Sequence, residues 1–75
     1  LKDWTDPIIE AVKKHHFLEM EQEEEVRAAA RRANDYVPPN IMEITRAVEK
    51  WFYISDDLEK SIQEVFDKNL PTFLE

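Results

Sequence analysis

Asn34-Asp35-Tyr36-Val37-Pro38-Pro39-Asn40-Ile41-Met42-Glu43 is the stretch on which the fold turns. Proline has no backbone N–H, and its ring clashes with the preceding turn, so Pro38-Pro39 is the strongest punctuation in the chain. A helix arriving from the N-terminal side must stop near Asn34-Asp35. On the other side, Asn40 followed by Glu43 forms a capping-box pattern that opens a new helix. The double proline therefore divides the chain into two helical halves.

Moving outward toward the N-terminus, the second helix is oriented by its charges. Glu19, Glu21, Glu23, Glu24 and Glu25 come early, and Arg27, Arg31 and Arg32 come late, which is the order the helix macrodipole favours. Glu23 and Arg27 are an i,i+4 pair in the stabilising direction. Leu18, Val26, Ala29, Ala33 and Tyr36 recur at helical spacing, with alanines small enough to admit a close neighbour. Further out, Thr5-Asp6-Pro7 predicts the start of the first helix, with Asp6 as cap and Pro7 at the first helical position. Ile8, Ile9 and Val12 give it an apolar side, and Lys13-Lys14 suit its C-terminus, near His15 or His16.

Toward the C-terminus, Ile41, Ile44, Val48 and Trp51 step by three or four residues, as a third helix requires. Ser55-Asp56-Asp57 reads as another helix start, a capping hydroxyl followed by two acids. Helix four would carry Leu58, Ile62, Val65 and Phe66. It would end at Asn69-Leu70-Pro71, with Asn69 in the left-handed conformation. The pattern leaves open whether helix three breaks at Ile54-Ser55 or runs straight through. The expected fold is all-α: a compact bundle of three or four short helices, with residues 1–75 as a single helical domain. Leu74-Glu75 resembles a cloning scar.

Composition narrows the function classes. The chain has 75 residues, no Cys, no Gly and a net charge of −7. Without Cys there is neither a disulfide framework nor a thiolate metal site. Without Gly there is no phosphate-cradling loop. The negative charge argues against nucleic acid, whose phosphates are neutralised by Lys and Arg. Hydrophobic residues make up 43% of the chain, enough for a core. Apolar runs are only a few residues long, so no membrane span and no signal-peptide core is expected, and a soluble domain is.

Catalytic and metal chemistry find little support. His15, His16 and Glu19 are ligand types, and His15 with Glu19 could share a helix face. Only two histidines exist, however, and adjacent histidines diverge on a helix, so no metal is expected. The acids in Glu23-Glu24-Glu25 and Asp56-Asp57 suit solvated helix starts better than a desolvated acid–base pair. Ser55 and Ser61 stand in acidic surroundings with no His nearby in sequence. No enzymatic activity, cofactor or small-molecule substrate is expected.

The unusual segment is Trp51-Phe52-Tyr53-Ile54-Ser55-Asp56-Asp57-Leu58. On a continuous helix, Trp51, Phe52, Ile54, Ser55 and Leu58 would fall within an arc of about 160°, with Tyr53, Asp56 and Asp57 opposite. That set resembles the helical antibody epitope in the membrane-proximal external region of the HIV-1 envelope transmembrane glycoprotein. The epitope pattern is Trp-Phe, any residue, Ile or Leu, Thr or Ser, two of any kind, Leu or Ile, then Trp. The match holds at five positions and departs at Glu59, where the epitope has Trp; it covers eight residues. The resemblance implies an engineered scaffold that presents this epitope to a neutralising antibody, with Trp51, Phe52, Ile54, Ser55 and Leu58 as the antibody-binding residues. Preorganising the helix would spare the antibody the entropy of ordering a free peptide.

The same residues have an ordinary reading. Ile44, Val48, Trp51, Ser55, Leu58 and Ile62 form one stripe of the kind a bundle helix buries. The alternative function is then a natural, small, acidic protein–protein interaction module, with a protein partner in place of an antibody. Either reading excludes nucleic acid and membrane as partners. The scaffold reading requires Trp51, Phe52 and Leu58 to be exposed on one continuous helix.

Overall fold

In the computed structural model, which describes residues 3–69, the first helix (α1, Asp6–Lys13) starts on a turn tied by Asp3. The Thr5 N–H and hydroxyl both donate to Asp3 Oδ1, at 3.0 and 2.9 Å. Thr5 is fully buried at the N-cap, and Asp6 is the first helical residue rather than the expected cap. Asp3 braces Thr5 rather than capping the helix, and the Asp6 carboxylate receives Arg27. Past Lys13 the backbone continues as a turn, with the His15 and His16 N–H groups donating to the Val12 carbonyl.

The second helix (α2, Met20–Asp35) begins after Glu19, whose extended backbone N–H donates to Gln22 Oε1 at 2.9 Å. Leu18, expected on the helical stripe, is buried but lies just ahead of the helix. The helix ends at Asp35, as the double proline requires. Tyr36 leaves it as extended, exposed backbone and takes no part in the buried stripe.

The third helix (α3, Met42–Glu49) starts after Ile41, one residue beyond the expected cap, and the expected capping box does not form. Asn40 Oδ1 accepts the Met42 N–H at 2.9 Å, whereas Glu43 binds Tyr36 and Arg32. The helix does not run through residue 55. Trp51 and Phe52 N–H groups both donate to the Val48 carbonyl, closing a last turn. The fourth helix (α4, Asp56–Asn69) then starts afresh, with the Leu58 N–H donating to Ser55 Oγ at 3.1 Å. An unbroken helix over residues 42–69 would be about 42 Å long at 1.5 Å per residue. The longest dimension of the molecule is 36 Å. Breaking the helix lets α4 fold back and bury Leu58, Ile62 and Phe66 against the other helices. No described residue has positive φ; the Asn69 amide donates to the Val65 carbonyl instead of adopting the left-handed turn. Leu70-Pro71 and Leu74-Glu75 lie outside the described residues.

The chain is all-α, and the ion pairs show how its helices run. Lys13 meets Glu23, while Asp6 meets Arg27 and Asp3 meets Arg31, so α1 and α2 are antiparallel. Arg32 meets Glu43 and Lys50 meets Glu25, so α2 and α3 are antiparallel as well. The expected Glu23–Arg27 pair on one helix does not form, because both side chains reach across to α1. One core joins Ile8 and Val12 of α1, Val26, Ala29, Ala30 and Ala33 of α2, Ile44 and Val48 of α3, and Leu58, Ile62 and Phe66 of α4. Trp4 lies against Phe66, ring centroids 6.4 Å apart, at the end where α1 starts and α4 finishes. Among the described residues no helix is long and apolar enough to cross a membrane.

Candidate functional site

The antiparallel run brings two connections to one end of the bundle: residues 14–19 between α1 and α2, and residues 50–55 between α3 and α4. His16 and Phe52 join them. Their rings stack with centroids 4.3 Å apart and planes 4° from parallel. Phe52 also meets the edge of Trp51 at 6.3 Å, and Lys50 Nζ stands 5.9 Å from the Trp51 ring.

The five residues matched to the epitope do not share a helix face. Trp51 and Phe52 follow the end of α3, half-buried and packed on the core, and Ile54 packs beside them in the connection. Ser55 uses its hydroxyl to cap α4, and Leu58 is fully buried. The expected continuous helical display is thus replaced by a helix end, a connection and a helix start. The physical reason is local: Ser55-Asp56-Asp57 stabilises a helix N-terminus more strongly than the preceding aromatics stabilise a helix interior.

What this end does expose is a different apolar set. Phe17, directly after His16, is 77% exposed; Met20, in the first turn of α2, is 82% exposed; Tyr53, directly after Phe52, is 83% exposed. Isolated exposed hydrophobics are ordinary, but three large ones at one end of the bundle make this end a candidate contact surface. Sequence reasoning missed Phe17 and Met20. Their signal was present: both are large apolar residues off the buried stripe, at a junction where polar turn residues are the rule.

The electrostatics of this end follow from the helix starts. Glu19 and Glu21 stand at the start of α2, and Asp56 and Asp57 open α4. The same segments carry two cations, Lys14 and Lys50, and Lys50 is paired with Glu25. Acids therefore outnumber cations in the segments at this end.

The remaining charged clusters are structural. Asp3 is held below the usual carboxylate range, first by the Thr5 N–H, then by the Thr5 hydroxyl and by Arg31 and Arg27. The hydrogen bond to Asp6 pushes Arg27 above its ordinary value. Glu43 is lowered by the Tyr36 hydroxyl and by Arg32, while the same bond raises Tyr36. His15 and Glu19 do not share a helix face, since residues 14–19 lie between helices. Among the described residues no three potential metal ligands of the His, Cys, Asp or Glu type come together. Glu23 and Glu25 are engaged by Lys13 and Lys50. No protein family, curated protein or solved structure matches the chain.

Proposed function

We propose that this chain is a protein–protein interaction module that docks a partner through the aromatic end of its bundle. The observation that carries the reading is the exposure of Phe17, Met20 and Tyr53 around the His16–Phe52 stack. Burying such side chains stabilises a complex by roughly 1.5–3 kcal/mol each, which is the scale of an interface anchor. The supporting frame is rigid: Phe52, Trp51 and Ile54 pack on the core behind the surface, so little order is lost on binding. The display reading is the rival, favoured by the five matched positions. It requires residues 50–55 to rewind as helix and Leu58 to leave the core.

One experiment separates them. A photo-crosslinking amino acid is placed at Tyr53 and, in a second protein, at Glu64, which is exposed on α4 away from this end. Capture of a partner from position 53 alone, lost in a folded Phe17→Ser variant, is the expected result. Equal capture from both positions, or none, overturns the docking reading. Binding to an antibody against the membrane-proximal helix, lost in a folded Trp51→Ala variant, would establish display instead.

A further inference from the structure

The docking surface also specifies its partner's chemistry, provided that surface is the docking site proposed above. We infer that the aromatic end receives a basic amphipathic helix, an apolar stripe flanked by Lys or Arg. The first argument is charge complementarity. Glu19 and Glu21 at the start of α2 and Asp56 and Asp57 at the start of α4 stand at the same end of the bundle as the exposed apolar residues, and the whole chain carries a charge of −7. Opposite charge on the partner speeds encounter and fixes orientation, while an acidic partner would be repelled.

The second argument is the form of the surface. An extended peptide would need an open sheet edge, and the described residues contain no strand to offer one. A helix satisfies its own backbone and brings only side chains to the surface, which is what a face made of Phe17, Met20 and Tyr53 can receive. Met20 suits the task because its unbranched, polarisable side chain adapts to irregular apolar shapes. The acids at the helix starts therefore do two things: they stabilise α2 and α4, and they give this end the negative charge that selects a cationic ligand.

The test is fluorescence anisotropy with the full chain and four labelled peptides. One is an amphipathic Leu/Lys helix; two are its Leu/Gln and Leu/Glu counterparts; the fourth is proline-rich. The Leu/Lys peptide is expected to bind at least about tenfold more tightly than the others, with affinity falling as salt rises. Met20→Ser with Tyr53→Ser should abolish binding, and Glu21→Gln with Asp57→Asn should weaken it about tenfold, both at unchanged helicity. Equal binding of the Lys and Gln peptides, lost with Met20 and Tyr53, would leave the docking reading standing and overturn the basic partner. So would preference for the proline-rich peptide. Binding of the Lys peptide that ignores Met20 and Tyr53 would be unspecific charge attraction and would overturn the proposal. Self-association that buries Tyr53, seen by sedimentation, would replace the foreign helix with a second copy. If no peptide binds and crosslinking from position 53 also fails, both readings fall together.

Discussion

Ser55 shows how one hydroxyl decides between two structures. Placed mid-helix it would have been part of a continuous face with Trp51 and Leu58; as observed, its Oγ accepts the Leu58 N–H and begins α4. Removing that acceptor leaves an N–H of the first turn without a partner. Ser55→Ala is expected to cost about 1 kcal/mol, and Ser55→Asp, which restores an acceptor and adds favourable charge at an N-terminus, to recover most of it. Urea unfolding monitored by helicity measures both, with the midpoint moving and the slope unchanged. A Ser55→Ala protein as stable as the parent would mean that the cap is not what sets the break. Thr5 makes the same point inside the fold. It is fully buried, yet its hydroxyl donates to Asp3 and accepts from Arg27, so a polar group sits among apolar ones without an unmet bond.

At the scale of the element, α2 and α3 are tied by a three-membered polar cluster that makes stability depend on pH from both sides. Tyr36 Oη donates to Glu43 Oε2 at 2.6 Å, and Arg32 Nε donates to Glu43 Oε1 at 3.3 Å. Glu43 is lowered, so in the acid range the folded chain binds fewer protons than the unfolded one. Its contribution is present above the unfolded value and lost as pH falls through the folded value, below about pH 4. Asp3, also lowered, acts in the same direction on α1. Tyr36 is raised, so its contribution is complete below its unfolded value and lost as pH rises through the folded one, above about pH 10. Tyr36→Phe should remove the alkaline loss and shrink the acid one, because the hydroxyl is the first cause of the Glu43 shift. Thermal melting across the pH range checks both limbs; an unchanged alkaline limb would contradict the assignment. This cluster was only half legible in advance. Asn40 with Glu43 marked the helix start to within one residue, but a capping box is a local motif, and Glu43 was drawn away by Arg32 of α2 and by Tyr36 just after it. Glu23 and Arg27 behaved alike, leaving their i,i+4 partnership for charges on α1. Helices are readable from spacing because their bonds are local. Which charges meet between helices depends on how the helices run, and spacing does not carry that.

At the scale of the whole molecule, the residues that build the core and those proposed to dock a partner are different ones. The bundle is small: at roughly 0.05–0.15 kcal/mol per residue, its total stability is about 4–11 kcal/mol. Phe66 sits fully buried in the core with Trp4 against its ring. Phe66→Ala removes that packing and leaves a cavity, at a cost of about 3–5 kcal/mol, roughly a quarter of the total or more. It should lower the melting temperature steeply. Tyr53 is the opposite case, a large aromatic whose exposure means that the fold asks almost nothing of it. Tyr53→Ser should change stability by no more than about 0.5 kcal/mol. The spacing already separated the two aromatics, Phe66 on the apolar stripe of helix four and Tyr53 opposite the aromatic face, and their burial agrees. Circular dichroism melts of the two variants beside the parent test the separation directly. A strongly destabilised Phe66→Ala beside a parent-like Tyr53→Ser would show that the fold depends on the first ring and not on the second. A Tyr53→Ser protein destabilised by several kcal/mol would put that residue in the core and remove it from the docking surface.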